Sequence, residues 1–280
     1  MSRTPLTYYG GKQLLASRIV AMMPPHRAYI EPFCGGAAVL FQKWPAERET
    51  LNDADERITR FWRTVRDRPE ELAAAIAATP YGRQEWRESR LAADDDLECA
   101  RRLLVEFDQS FSRSCSSWSV PSRATDRRAR WQPGTWRNLP PKILAAAERL
   151  AGVALEHGDA LELIPRWDQR ETVIYADPPY TGPHRIAPCK RYRHDDDNDL
   201  WPRLIEVLLA VQHADVILSG YPCEEAVALE AAGWQQARLP RKRCVQARAG
   251  NRLDAAPETV WLSPGIRGRA PMTLWEDRPA

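Results

Sequence analysis

The sequence of 280 residues has no run of 18 consecutive apolar residues, which excludes a transmembrane helix on grounds of length. No apolar segment of a secretory signal peptide follows the first five residues. The six cysteines are scattered and form no C-x-x-C pair, and the five histidines show no metal-ligand spacing. We therefore expect a cytoplasmic protein with reduced thiols, without a membrane segment and without a bound metal.

The net charge is also small, at +2, so the overall charge does not indicate a nucleic-acid-binding protein. Basic residues are nevertheless concentrated in residues 109–142 and 238–252, and Asp126 is the single acid of the first segment. Such clustering is typical of a surface that binds phosphates. The alternative is a generally arginine-rich composition, which would not explain the clustering. The basic residues of the first segment are Arg113, Arg123, Arg127, Arg128, Arg130, Arg137 and Lys142.

Apolar runs of strand length alternate with helix-compatible segments, which predicts an α/β fold with a doubly wound sheet. The predicted strands are residues 28–31, 49–52, 153–156, 172–176, 215–219 and 259–262. The predicted helices include residues 37–43, 56–66, 142–150, 160–164 and 199–212.

The alternation is interrupted between the second and the third predicted strand. Residues 69–110 contain helical patterns only, and residues 110–141 are rich in Ser, Arg, Pro, Gly and Trp, a composition typical of loops. We therefore predict a mainly helical insertion, residues 62–139, within a second unit formed by residues 1–61 and 140–280.

The sharpest motif follows the strand predicted over residues 172–176 and reads Asp177-Pro178-Pro179-Tyr180. Ligands of open α/β sheets bind at the carboxyl ends of the strands. The exocyclic amine of a base becomes more nucleophilic when both of its N–H groups donate hydrogen bonds. Asp177 can accept one of them and the carbonyl of Pro178 the other, while Tyr180 offers a ring on which an extruded base can stack. The alternative is an ordinary Pro-Pro turn after a strand.

Further motifs follow the first three predicted strands. The turn Glu31-Pro32-Phe33-Cys34-Gly35-Gly36 is not G-x-G-x-x-G, so it does not indicate pyrophosphate binding, but its glycines allow a ligand to approach the backbone. Asp53 stands where an acid typically receives ribose hydroxyls, and Asp159 could accept an adenine amine. For both acids the alternative is a helix N-cap, a role that Asp55 could also fill. Lys12 ends a glycine turn and could pair with a carboxylate.

Taken in chain order, the segment Tyr8-Tyr9-Gly10-Gly11-Lys12, the turn at residues 31–36, Leu51-Asn52-Asp53, Asp159 and residues 177–180 resemble Dam-type (D12 class) adenine-specific DNA methyltransferases. The likeness is strongest to short phage and prophage members. It covers residues 5–60 and 140–262, and it holds only in general layout across residues 62–140. Tyr8 stands where relatives often have Trp.

The resemblance implies a Rossmann-like S-adenosylmethionine-dependent methyltransferase sheet with a target-recognition insertion, and an enzyme that methylates the N6 amine of adenine in double-stranded DNA. It also implies a role for each motif. The implied catalytic residues are Asp177, Pro178, Pro179 and Tyr180. The implied S-adenosylmethionine-binding residues are Tyr8, Tyr9, Lys12, Glu31, Pro32, Phe33, Gly35, Gly36, Asp53, Asp159 and Asp177. Tyr192 and His194 are expected in a loop near the target base.

Tryptophans interleave with the arginines of the insertion. We predict that Trp118, Trp131 and Trp136 stabilise a small core and that the arginines face DNA. Two other interpretations stay open at this point. One is a methyltransferase that acts on RNA or protein, and the other is a catalytically silent DNA-binding protein.

Overall fold

The computed structural model describes residues 4–7, 11–110, 117–119, 132–179, 199–239 and 258–266. The strands are β1 (Ala28–Glu31), β2 (Arg48–Asp53), β3 (Val153–His157), β4 (Thr172–Ala176), β5 (Asp215–Gly220), β6 (Gln235–Arg238) and β7 (Thr259–Leu262). The helices are α1 (Ala16–Ala21), α2 (Glu56–Asp67), α3 (Pro69–Ala78), α4 (Arg83–Glu88), α5 (Asp96–Asp108), α6 (Gln132–Trp136), α7 (Leu139–Leu150), α8 (Ala160–Arg166), α9 (Leu200–Ala210) and α10 (Val227–Ala231).

All seven strands form one sheet in the order β3-β2-β1-β4-β5-β7-β6. Strands β3, β2, β1, β4 and β5 run parallel to one another. Strand β7 lies between β5 and β6 and runs antiparallel to both. The strand order reverses between β1 and β4, which creates the switch point where doubly wound sheets bind their ligands. The predicted Rossmann-like sheet is confirmed.

Side chains of β1, β4, β5 and β7 alternate between two hydrophobic clusters, one on each face of the sheet. Along β4, Val173 and Tyr175 belong to the cluster that includes α1, α2, α3, α5 and α7, while Ile174 and Ala176 belong to the cluster that includes α8, α9 and α10. Successive strand residues point to opposite faces. Helices therefore cover both faces, which explains why β4 is apolar along its whole length.

The helices of the predicted insertion share one hydrophobic cluster with the sheet, and α2 contacts β2 and β3 directly. Helix α2 packs along α5, and α3 packs along α7. Their buried side chains, among them Trp62, Leu72 and Leu104, join the same cluster as Tyr29 of β1. Among the described residues, no helix is long and apolar enough to cross a membrane.

The segment predicted as a helix over residues 37–43 is instead a series of turns. Ala37 has a left-handed φ of 48°. The N–H of Leu40 donates to the Oε1 of Glu31 at 2.7 Å, and this bond replaces a backbone bond that a regular helix would make. The prediction was wrong because a distant carboxylate competes for the amide. Strand β6 and helices α1, α6 and α10 were also not predicted.

Candidate active site

Four acidic residues stand at the carboxyl edge of neighbouring strands. Glu31 ends β1, Asp53 ends β2, Asp159 follows β3 and Asp177 follows β4. Because the sheet order is β3-β2-β1-β4, the acids follow one edge in the order Asp159, Asp53, Glu31, Asp177. The structure therefore brings together the strand-end residues that the sequence analysis singled out.

The turn after β1 is tied to the end of β2. The N–H of Gly35 donates to the Oδ2 of Asp53 at 2.9 Å, and the N–H of Cys34 donates to the carbonyl of Asn52 at 2.8 Å. Gly35 has a φ of 43°, a left-handed conformation that glycine adopts without a steric penalty. Burial raises the pKa of Asp53 to about 6, against the effect of the amides that it accepts from Gly35 and Asp55.

The structure shows which of the acids Asp53, Asp55 and Asp159 serve as helix N-caps. Asp55 caps α2 by accepting the N–H of Arg57 at 3.0 Å, so Asp53 does not cap this helix. Asp159 does cap α8, since its Oδ1 accepts the N–H of Leu161 at 2.8 Å. The predicted cofactor roles of Asp53 and Asp159 stay predictions.

Asn52 connects two of the loops at this edge, and the sequence analysis did not single out its side chain. It is 1% exposed, and its Nδ2 donates to the carbonyls of Pro32 at 2.8 Å and Gly158 at 3.1 Å. Its Oδ1 is buried and has no hydrogen-bond partner among the described residues. The amide therefore holds the turn after β1 against the turn that precedes Asp159.

Lys12 is buried between two carboxylates. Its Nζ lies 2.5 and 2.6 Å from the two oxygens of Asp177 and 3.0 Å from the Oε1 of Glu258. Burial alone would lower the pKa of Lys12, but Asp177 and Glu258 outweigh it and the pKa is raised. Lys12 is therefore an ammonium that holds Asp177 at the end of β4. Glu258, which directly precedes β7, was missed because it lies in no motif.

Glu31 lies beneath this ion group and is 2% exposed. Its Oε1 accepts hydrogen bonds from the hydroxyl of Tyr29 at 2.8 Å and from the N–H of Leu40. Burial raises the pKa of Glu31 to about 8, and the nearby charge of Asp177 acts in the same direction. Glu31 is therefore largely protonated at neutral pH, and its immediate role is to shape the turn after β1.

The segment after β4 is held by α9, which covers the face of the sheet opposite to α2 and α7. The indole N–H of Trp201 donates to the carbonyl of Pro179 at 2.9 Å. Pro178 is buried, and no described residue donates a hydrogen bond to its carbonyl oxygen. Proline itself has no N–H to donate. The segment thus presents the Asp177 carboxylate beside a carbonyl that retains its capacity to accept a hydrogen bond.

Several predicted site residues lie outside the described residues. They are Tyr8, Tyr9, Tyr180, Tyr192 and His194, together with Arg113, Arg123, Arg127, Arg128 and Arg130. Arg137 is described and is exposed just after α6, while Phe33, Pro32 and Gly36 lie in the turn after β1. In the described residues, no group of three or more His, Cys, Asp and Glu side chains could hold a metal ion.

The tryptophans of the insertion that are described have structural contacts. Trp136 is buried, and its indole donates to the carbonyl of Thr79 at 2.9 Å, as expected for a core residue. Trp118 packs against the larger cluster and lies under the guanidinium of Arg83, 4.9 Å from the ring centroid. Trp131 lies outside the described residues.

Helix α4 adds a basic face that the sequence analysis did not single out. Arg83, Arg87 and Arg90 are exposed and follow one another at intervals of four and three residues. They therefore share one side of α4 and of the turn that follows it. The acids of α4 are engaged elsewhere, since Glu85 pairs with Arg101 and Glu88 accepts from Gln84. The guanidinium of Arg90 lies 4.1 Å from the ring centroid of Trp86.

Comparisons with known proteins agree with this geometry. Residues 8–96 match the family model of the D12 class N6 adenine-specific DNA methyltransferases. The match covers less than half of the chain. The matched residues include Lys12, the turn after β1 and Asp53, whereas Asp159 and residues 177–180 lie beyond the match. An enzyme of this class transfers methyl groups to adenine in DNA, and its methyl donor is S-adenosylmethionine.

The curated relatives that this chain matches are distant in sequence. It is 25% identical over 209 residues to the type II methyltransferase M1.LlaDCHI of Lactococcus lactis subsp. cremoris, an alignment that spans 66% of this chain and 68% of the relative. It is 23% identical over 224 residues to the type II methyltransferase M.MjaIII of Methanocaldococcus jannaschii, across 69% of this chain and 74% of the relative. Among solved structures, it overlaps the rRNA methyltransferase aviRa from Streptomyces viridochromogenes with a TM-score of 0.34 at 13% identity, covering 90% of this chain and 82% of that one.

Proposed function

We propose that this DNA methyltransferase acts on an adenine flipped out of double-stranded DNA, and that Asp177 and Pro178 hold the N6 amine during direct in-line methyl transfer. The observation that carries the proposal is the segment after β4. Lys12 fixes the Asp177 carboxylate, and beside it the Pro178 carbonyl accepts no hydrogen bond from a described residue. Two acceptors side by side match the two N–H groups of an exocyclic amine.

The residues at the strand edge fit S-adenosylmethionine. The left-handed Gly35 lets a ligand approach the turn after β1. Asp53 accepts one amide on each oxygen, which leaves lone pairs for ribose hydroxyls. Asp159, which follows the Gly158 carbonyl held by Asn52, is proposed to accept the adenine amine of the cofactor. The Oδ1 of Asn52, which accepts no hydrogen bond from a described residue, adds a buried acceptor between these two loops.

Bound S-adenosylmethionine supplies an electrophilic methyl group on its sulfonium sulfur. Asp177 and the Pro178 carbonyl accept the two N–H groups of the target amine, which draws its nitrogen towards a tetrahedral geometry with an available lone pair. That lone pair would accept the methyl group of S-adenosylmethionine held at the strand edge, and the electrons of the C–S bond would stay on sulfur. The proton that the amine loses is within reach of the Asp177 carboxylate. Orientation and fixed acceptors supply the rate acceleration, so no covalent enzyme intermediate is required.

Base flipping follows from access, because the amine of a stacked adenine cannot reach an acid at the edge of the sheet. Tyr180 is proposed to stack on the extruded ring, and Tyr192 and His194 to lie near it. We propose that residues 62–139 contact the duplex through Arg137, the other arginines of residues 109–142 and the basic face of α4. Stacking on Trp118 and Trp86 restrains Arg83 and Arg90, so less side-chain entropy is lost when they bind phosphates.

The test incubates the purified protein with unmethylated genomic DNA and S-adenosylmethionine and maps methyladenine at single-base resolution. We expect modified adenines in one short shared context. Asp177→Ala is expected to abolish transfer while it leaves S-adenosylmethionine binding largely intact. Turnover like that of the unmodified protein in Asp177→Ala would refute the proposed role of Asp177. Competition with RNA of the same sequence tests the substrate, and preferential methylation of RNA would refute double-stranded DNA as the target.

A further inference from the structure

We propose that Glu258 is a positioning residue for methyl transfer, which acts through Lys12 to hold the Asp177 carboxylate in the orientation that accepts the target amine. The inference rests on the proposed role of Asp177. It adds a residue that lies in none of the motifs and is contributed by the antiparallel part of the sheet.

The geometry places one ammonium between two carboxylates from distant parts of the chain. Lys12 donates to both oxygens of Asp177, and its third near contact is the Oε1 of Glu258 at 3.0 Å. The side chains of Lys12 and Glu258 are 3% and 6% exposed, whereas that of Asp177 is 19% exposed. Asp177 is therefore the member of the group that a substrate can reach, and the other two lie behind it.

The backbone of Glu258 is fixed more firmly than that of a loop residue. Its carbonyl accepts the N–H of Leu239 at 2.8 Å, and the next residue, Thr259, pairs with both Gly220 and Arg238 in the sheet. Lys12 is anchored as well, because its carbonyl accepts the amides of Leu15 and Ala16. The ammonium is thus held by Glu258 on one side, and Asp177 is aligned on the other.

A lysine side chain without this second anchor would have several rotamers available to it. With Glu258 in place, the ammonium stays against Asp177 and keeps that carboxylate in one orientation. Among the described residues, the charged groups that face Lys12 include Asp177 and Glu258, and those that face Asp177 include Tyr175 and Glu31. Loss of the Glu258 charge would lower the pKa of Lys12, since that charge helps to raise it.

The experiment compares Glu258→Gln with the unmodified protein in the full chain. We expect kcat to fall by about 10-fold to 100-fold, because a displacement of about 1 Å at a reacting group can cost 100-fold in rate. The dissociation constants for S-adenosylmethionine and for DNA are expected to stay unchanged. The alkaline limb of the pH–rate profile should move to lower pH, because Lys12 then loses its proton more easily. Glu258→Asp, which keeps the charge, should restore part of kcat and of the profile.

Glu49→Gln provides a matched control. Glu49 is a buried carboxylate in the same sheet that contacts a buried lysine, Lys43, at 2.6 Å, and it also pairs with Arg149. It lies near the amino end of β2, on the opposite side from the acidic edge. We expect Glu49→Gln to lower the melting temperature but not to change kcat or the pH–rate profile of the folded protein.

A double-mutant cycle tests whether Glu258 acts through Lys12. In a Lys12→Met background, Glu258→Gln should have no further effect on kcat. The inference is overturned if Glu258→Gln folds with an unchanged kcat and pH profile, or if its effect persists in full without Lys12. Asp177→Asn separates this result from the proposed function. Turnover in Asp177→Asn refutes the role of Asp177. If Asp177→Asn is inactive and Glu258→Gln is fully active, only the role of Glu258 is refuted.

Discussion

The indole N–H of Trp201 lies 2.9 Å from the carbonyl oxygen of Pro179, so helix α9 holds the backbone that follows Asp177. The same indole packs closely over Gly220, at the end of β5. A Cβ at Gly220 would lie 2.5 Å from Cη2 of Trp201 and 3.2 Å from Cζ3 of Trp261. The position of the proposed amine acceptors therefore depends on the absence of a side chain at the end of the neighbouring strand, β5.

Gly220→Ala is expected to displace Trp201 and to weaken its hydrogen bond to Pro179. We expect kcat to fall about 10-fold or more through misplacement of the acceptors, and stability to fall by about 1–3 kcal/mol through overpacking. Steady-state kinetics and thermal unfolding measure the two effects. Gly152→Ala is the control, because nothing lies within 4 Å of a Cβ at that position. An unchanged kcat in a folded Gly220→Ala would show that this packing does not position the site.

Asn52→Ala removes both donors that connect the carbonyls of Pro32 and Gly158. We expect the dissociation constant for S-adenosylmethionine to rise about 10-fold, equivalent to about 1.4 kcal/mol, because the two loops lose their common support. DNA affinity should stay the same. Isothermal titration measures both, and Asn138→Ala serves as control because Asn138 is exposed and donates to the carbonyl of Gly134. Equal cofactor affinity in Asn52→Ala and the unmodified protein would contradict this role.

Burial of Glu31 predicts a loss of stability as the pH rises from 4.5 to about 8. Its pKa is about 8 in the folded protein against a usual value of 4.5, so the folded state binds a proton that the unfolded state has released. Stability is therefore highest below pH 4.5 with respect to this group and is lost as the pH rises towards 8, by at most about 1.4 kcal/mol per pH unit. Asp53, with a pKa of about 6, contributes in the same direction at lower pH.

Chemical denaturation between pH 6.5 and 8.5 isolates the contribution of Glu31. Glu31→Gln resembles the protonated acid in shape and keeps an oxygen that can accept from Tyr29 and Leu40. We expect its stability to fall less steeply with pH than that of the unmodified protein. Parallel pH dependences of the two proteins would mean that Glu31 is already ionised in the folded state.

The basic face of α4 predicts a contribution to DNA affinity that depends on salt. Arg87→Ala should weaken binding to all duplex sequences alike and should lower the slope of log K against log salt by about 0.9, the amount expected for one phosphate contact. Arg166→Ala is the control, because Arg166 is also exposed but lies on α8, which belongs to the other face of the sheet. A salt slope that Arg87→Ala leaves unchanged would exclude a phosphate contact at this position.

Local patterns in the sequence were sufficient for much of the fold. The buried strands β1, β4, β5 and β7 are short apolar runs, and such runs with helices between them predict a doubly wound sheet whatever their exact contacts. The placement of Asp53 and Asp177 followed as well, because parallel strands end at one edge. These inferences needed only neighbours along the chain.

Tertiary structure alone decided the partners of the site residues. Lys12 and Asp177 are 165 residues apart, and Glu258 reaches them only because β7 is inserted between β5 and β6, which no local pattern indicates. The same holds for Leu40, whose amide is taken by Glu31 instead of a helical carbonyl. Periodicity along a sequence reports which side of an element is buried, whereas a hydrogen bond between distant groups depends on strand order and on competition among partners in the folded chain.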